Sequence, residues 1–248
     1  MTLRHRECPP GGLLGLILVG LLAACAVTPG TEAPDYAAII AAADRSDADR
    51  KTDERRNPAL MLAFTGVRPG GKVLDMGAGA GYSTELLARA VGPQGIVYAQ
   101  DSKGANRFDA RAKGPAMKNV VRVIRDYDDP VPAELRDLDL ITFFFAYHDV
   151  AFMPVDRAKM NRRMFEALKP GGFLVVADHS ARSGDGTSVA RTLHRIEESV
   201  LRREVEAAGF RLVDQAEFLR HPEDRRDVIV FKSPVRVDEF VLKFETPR

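Results

Sequence analysis

Glycines at 77, 79 and 81 follow an apolar run that ends in Asp75-Met76, and the residues after them carry a helical pattern. Glycine tolerates positive φ and lets a ligand come close to the backbone. The free N–H groups at the start of the helix add donors for a polar ligand. The spacing is Gly-x-Gly-x-Gly behind an acid, not the Gly-x-Gly-x-x-Gly of a dinucleotide site, which argues against a nicotinamide-dependent oxidoreductase. A carboxylate just ahead of the loop disfavours a pyrophosphate and suits a ligand with an amino or sulfonium group. Asp101 closes the next strand, about 20 residues beyond the loop, where a carboxylate can accept both hydroxyls of a ribose. Asp126 closes the strand after that, where it or its neighbouring backbone can take the amino group of a base. One acid at a strand end means little, because turns favour Asp. Three in order, behind such a loop, describe a cofactor site.

Two histidines fall at the same edge. His148, in Ala146-Tyr147-His148-Asp149, follows the fourth strand, and His179, in Ala177-Asp178-His179-Ser180, follows the fifth. Each is a candidate general base toward a hydroxyl or amine, and each could equally cap a loop or bond a nearby carboxylate. His148, Asp149, Asp178 and His179 also offer metal-ligand atoms, but two short His/Asp pairs without fixed spacing are weak evidence, and no metal is expected. His194 falls in a helical pattern with Ile196 and Val200 and reads as packing or as support for a neighbouring site residue. His221, before Pro222, reads as an exposed loop residue, and Phe143-Phe144-Phe145 as sheet core.

Alternating strands and helices must position these groups, the signature of a parallel sheet covered on both faces. Strands are predicted over residues 72–76, 95–100, 120–125, 138–145, 173–177 and 210–217. The last, 238–244, is expected to be an antiparallel edge strand. Helices are predicted over 82–90, over 104–117 with a break at Gly114-Pro115, over 155–168, and as one long helix over 187–208. Upstream, Asp35 caps a short helix through Tyr36 and Ile40, and Asn57-Pro58 opens another that ends near Gly66. Between them, residues 44–57 are almost all charged and read as a solvated helix or loop.

A 45% hydrophobic content supports a substantial core, and a net charge of +1 gives no reason to expect a nucleic-acid partner. The N-terminus carries Arg4 and Arg6, then an apolar run of about 14 residues, shorter than the ~20 that a membrane span needs. The run ends in Leu22-Ala23-Ala24-Cys25, which resembles a bacterial lipobox. Residues 1–24 are therefore expected to be a lipoprotein-type signal peptide, with lipidated Cys25 anchoring an exported protein to a membrane facing the periplasm. Both cysteines, Cys8 and Cys25, lie at or before the cleavage point, so the mature domain is expected to hold no disulfide and no thiolate chemistry. Residues 25–57 form a tether and helical segment, and 58–248 the main domain.

From Pro58 onward the chain resembles the class I S-adenosylmethionine-dependent methyltransferases. Val73-Leu74-Asp75-Met76-Gly77-Ala78-Gly79-Ala80-Gly81 resembles their first motif, Asp101 their ribose-binding acid, and Leu168-Lys169-Pro170-Gly171-Gly172-Phe173 the turn into their fifth strand. The resemblance implies an α/β, Rossmann-like, doubly wound sheet of seven strands, mostly parallel with an antiparallel last strand. It implies S-adenosyl-L-methionine as cofactor. Asp75, Gly77, Gly79, Gly81 and Tyr82 would meet the methionine moiety, and Asp101, Asp126 and Tyr127 the adenosine. No Asn-Pro-Pro-Tyr-type sequence follows the fourth strand and no catalytic cysteine is available, which leaves a small-molecule or lipid-like acceptor by elimination. The export signal raises the alternative of a non-catalytic lipoprotein that binds the cofactor on a methyltransferase fold.

Overall fold

The computed structural model describes residues 1–2, 33–104 and 106–248. Apart from these, the predicted signal peptide, Cys25 and the tether up to Glu32 lie outside the described residues. Among the described residues no helix is long and apolar enough to cross a membrane.

Seven strands form one sheet in the order β3-β2-β1-β4-β5-β7-β6. They are β1 (Lys72–Met76), β2 (Ile96–Asp101), β3 (Val120–Ile124), β4 (Leu138–Phe144), β5 (Leu168–His179), β6 (Arg211–Ala216) and β7 (Glu239–Glu245). β1 pairs in parallel with both β2 and β4, and β7 is antiparallel to both β5 and β6. The antiparallel direction of β7 agrees with the sequence reading, but its edge position does not. Phe240, Val241, Leu242 and Phe244 are apolar on both faces of the strand and fully buried. Such a strand gains more from an interior slot than the largely exposed β6, which takes the edge.

Strand alternation sorts the core onto two faces. Leu74, Met76, Ile141, Phe143, Leu174, Val176 and Leu242 face one way, onto Met160 and Met164 of α7 (Arg157–Ala167) and Leu201 and Val205 of α9 (Glu198–Ala207). Val73, Val97, Leu140, Val175 and Val241 face the other way, onto α3 (Pro58–Thr65) and α4 (Tyr82–Val91). Each such buried Leu, Val or Met contributes roughly 1.5–3 kcal/mol.

The N-terminal region forms α1 (Tyr36–Ala41), capped by the Asp35 carboxylate as expected, and α2 (Asp47–Arg56), capped by Ser46. α5 (Asn106–Arg111) stops before Gly114-Pro115, and a 3-10 turn follows over Pro115–Met117. α6 (Tyr147–Phe152), which the sequence reading missed, starts directly after β4.

The long helix expected over 187–208 is broken into α8 (Ala190–Leu193) and α9. His194 takes φ +54° at the break, and Arg195 behind it is fully buried. The Arg195 guanidinium donates to Ser180 O at 3.0 Å and Val228 O at 3.2 Å and pairs with Asp224 at 2.8 Å. A charge taken out of water needs such partners. Satisfying them turns the chain away from the helical path.

Candidate active site

The carboxyl ends of β1, β2 and β4 open onto a cavity of about 880 Å³, at the point where strand order reverses and open α/β sheets bind ligands. Its floor is the glycine loop. Gly79 has φ +54°, and a Cβ built there would meet nothing closer than Gly77 O at 3.8 Å, so the backbone lies bare toward the cavity. Gly77, at φ +63°, is glycine for a second reason: a Cβ would press within 3.0 Å of Ala146.

Asp75 is not where the sequence reading puts it. It is fully buried and does not line the cavity. Its carboxylate accepts from Thr84 at 2.6 Å, Thr142 at 2.7 Å and Ser83 at 3.0 Å. Burial raises its pKa, and the three hydroxyls only partly offset the rise. Asp75 therefore ties β1 to β4 and to the first turn of α4, which shapes the loop without lining the cavity.

Gly77, Gly79, Tyr82, Asp101 and Tyr127 do line the cavity; Gly81 and Asp126 do not. Gly81 packs beneath the loop against Phe108 and Arg111, and Asp126 is exposed in the turn after β3. Asp101 accepts from Gly79 N at 3.2 Å. Its neighbour Gln100, which the sequence reading passed over, is fully buried and fixes the loop from below by accepting from Gly77 N at 3.2 Å. Tyr127 stacks on Phe143 at 6.2 Å between ring centroids. Burial and the Asp101 and Asp149 carboxylates raise its phenol pKa, so it stays protonated.

The charged segment 44–57 is solvated on one face, as expected of it, but Arg45 and Asp49 are buried and its other face turns inward. α2 lies across the cavity, contributing Asp49, Thr52, Arg55 and Arg56 to its wall. Buried Arg45 grips Asp53 through two bonds of 2.6 and 2.8 Å, and Asp53 accepts from Tyr82 Oη at 2.6 Å. Arg111 of α5 bonds Asp49 at 2.7 and 2.8 Å and also Glu85 of α4, clamping α2 to the loop's own helix. Composition alone cannot distinguish charges facing water from charges paired inward.

Arg56 is the residue that sequence reasoning missed most completely. Its guanidinium lies 4.3 Å from the Phe145 ring centroid and 5.4 Å from that of Tyr82, within cation–π range. Among the described residues no carboxylate forms an ion pair with it, and its buried Nε has no hydrogen-bond partner. Burial, and then Arg55, lower its pKa to about 10, which leaves it cationic at neutral pH. Phe145 belongs to the core as expected, and with φ +57° it also supports this cation at the cavity wall.

The two histidines expected as bases follow β4 and β5 as predicted, but neither ring lines the cavity. His148 is buried, with Nδ1 2.6 Å from Asp178 Oδ1 and Nε2 3.2 Å from Asp149 Oδ1. Burial works against its protonation, but Asp178 and Asp149 outweigh it and push the pKa up to about 10. His179 is pushed the other way by burial, down to about 3. Its Nδ1 lies 3.0 Å from Glu239 Oε1 without hydrogen-bonding geometry. As placed, one ring holds its proton too tightly and the other too weakly for a base working near neutrality. From this region Asp149 reaches the cavity, and His194, expected as packing or support, lies 3.1 Å from it.

The site thus offers a cavity-lining carboxylate, close-approach backbone, a stacked phenol and an unpaired guanidinium. Residues 73–172 match the methyltransferase domain family, and they carry the loop, Asp101 and Tyr127. Over these residues the chain is similar to S-adenosylmethionine-dependent methyltransferase domains, and S-adenosyl-L-methionine is the cofactor which that similarity implies. The chain is 33% identical over 123 residues to the ubiquinone/menaquinone biosynthesis C-methyltransferase UbiE of Vibrio campbellii, a match covering 49% of this chain and 46% of that protein. It therefore spans less than half the length of the curated relatives it matches. A methyltransferase of Aquifex aeolicus shares the fold at a TM-score of 0.58 and 22% identity, over 81% of this chain and 99% of that one. The [4+2]-cyclase SpnF shares it at 0.60 and 18%, over 81% and 82%. A cyclase on the same fold shows why chemistry has to be argued from the site.

Proposed function

We propose that this chain transfers the methyl group of S-adenosylmethionine to a small-molecule or lipid-like acceptor. The observation that carries this reading is the cavity wall itself. Asp101, Tyr127, the bare Gly79 backbone and the unpaired Arg56 guanidinium all line it. That arrangement suits a ligand with a ribose diol, a base and a carboxylate. Arg56 answers the methionine carboxylate, Asp101 the ribose hydroxyls, and Tyr127 packs beside the adenosine. The transfer itself is a displacement at an already activated sulfonium, so alignment is the main task of the protein. The name of the UbiE relatives points to quinone-type, membrane-soluble acceptors, and the apolar leader ending at Cys25 would keep the enzyme at a membrane.

Calorimetry with S-adenosylmethionine and its demethylated product tests the reading. Asp101→Ala and Gly79→Val should each weaken binding about tenfold or more. Arg56→Met, which keeps the packing on Tyr82 and Phe145, should weaken both ligands about tenfold but leave adenosine, which lacks a carboxylate, unchanged. Folded protein giving no heat with either ligand would sink the proposal. Cofactor binding without turnover on any quinone or phenol acceptor would favour the non-catalytic alternative.

A further inference from the structure

Three ligand-type atoms converge beside the cavity. His148 Nε2, Asp149 Oδ1 and His194 Nδ1 are separated by 3.2, 3.1 and 3.3 Å, the last being the distance between the two imidazole nitrogens. An ion held at ~2.0–2.1 Å from each atom requires ligand–ligand edges of roughly 2.9 Å in octahedral and 3.3 Å in tetrahedral geometry. All three edges fall in or near that range, so the atoms already form one face of a coordination polyhedron.

The surroundings are those of a metal-binding histidine. The second ring nitrogen of His148, Nδ1, is 2.6 Å from Asp178, a fully buried carboxylate whose other oxygen accepts from His148 N at 2.8 Å. A carboxylate at that position fixes the tautomer, keeps the proton on Nδ1 and raises the basicity of Nε2. His194 is held at φ +54°, a conformation that costs a non-glycine residue about 1 kcal/mol or more. That turn aims its ring at His148 and Asp149, and the rings of Phe152 and Phe231 flank it at 6.2 and 5.0 Å. A second cluster, His148, Asp178 and His179, lies equally close but is buried at all three residues and offers no ligand position to the cavity.

We infer that His148, Asp149 and His194 bind a divalent ion of the zinc type, with Asp178 as the outer carboxylate and open coordination positions toward the cavity. Two imidazoles and one carboxylate form a donor set that suits zinc, cobalt or nickel better than calcium or magnesium. Resting on the methyl-transfer reading, the ion's role is to hold an acceptor with an ionisable hydroxyl. Coordination releases the hydroxyl proton to solvent. The resulting oxygen lone pair then forms the bond to the methyl carbon as the carbon–sulfur pair returns to sulfur.

The test is calorimetric titration of chelator-treated, full-length protein with Zn²⁺, repeated with Co²⁺ while its visible absorption is followed. One ion per chain is expected, with proton release seen as a buffer-dependent heat. His194→Ala and Asp149→Ala should each weaken it at least about tenfold, and Asp178→Asn about 10–100-fold. His221→Ala, outside the cluster, should change nothing. Should the His194 variant not fold, imidazole ¹⁵N shifts of the wild-type protein must move at His148 and His194 on adding Zn²⁺. Folded wild-type protein that binds no stoichiometric ion overturns the inference. So does binding that survives both alanine variants, or that is lost only in His179→Ala. S-adenosylmethionine is titrated into the same samples: metal binding without cofactor binding would fail the methyl-transfer reading alone, and the reverse would fail only the metal site.

Discussion

Glu239 shows how burial alone reassigns a residue. At 1% exposure beside Arg55 and His179, burial raises its carboxyl from 4.5 to about 7, against the pull of both Arg55 and Arg56. A group whose folded pKa is raised contributes stability at pH values below the unfolded one, and that contribution is lost as pH climbs through the folded value. For Glu239 the loss runs from 4.5 to about 7 and amounts to about 3 kcal/mol. Glu239→Gln has no charge to bury, so its melting temperature should rise relative to wild type between about pH 5 and pH 8. Parallel melting curves across that range would show that the carboxylate is solvated in the folded protein. Asp75 follows the same logic with a different outcome. Three hydroxyls surround it, so an acid that reads from sequence as a ligand contact becomes a brace for the loop.

At the scale of elements, α2 matters most. It has almost no apolar face, and its attachment is ionic: Arg45 to Asp53, Asp53 to Tyr82, and Arg111 to both Asp49 and Glu85. Removing one partner of a largely buried network strands the others, at about 3 kcal/mol. Arg111→Met should therefore release α2 from the loop's helix while the sheet stays intact. Limited proteolysis should cut within 47–56 faster in the variant, and cofactor affinity should fall with little change in the main unfolding transition. Unchanged protection of that segment would mean that the helix is held by something other than the Arg111 clamp. The break between α8 and α9 belongs to the same scale. Buried Arg195 follows the break, and His194 there is turned toward His148 and Asp149.

For the whole molecule, the open proposal is location. If the leader is a lipoprotein signal, cells given a labelled fatty acid should incorporate it into the wild-type chain, and Cys25→Ser should abolish the label and release the protein from the membrane fraction. Labelling that persists in the variant would remove the lipobox reading without touching the cofactor site. The sheet itself was largely legible, because strand identity follows from local apolar periodicity and turn glycines, and residues 72–76 needed no correction. The order of the last two strands was not, since edge or interior position depends on what each face finally packs against. Glycines 77 and 79, Asp101 and Tyr127 were readable as cavity-lining residues because their placement follows from backbone freedom and from position at a strand end. The parts that had to wait for the tertiary structure are those whose meaning depends on partners distant in sequence. Arg56 matters because, among the described residues, no carboxylate forms an ion pair with it, and Asp75 is a brace because Thr142 of another strand occupies it. The His148–Asp149–His194 face joins residues some 45 positions apart. By itself, then, the sequence determined a methyltransferase-type sheet and its glycine loop, which local physics specifies. Only the fold decided which charges meet the ligand, because burial and pairing are properties of neighbours in space.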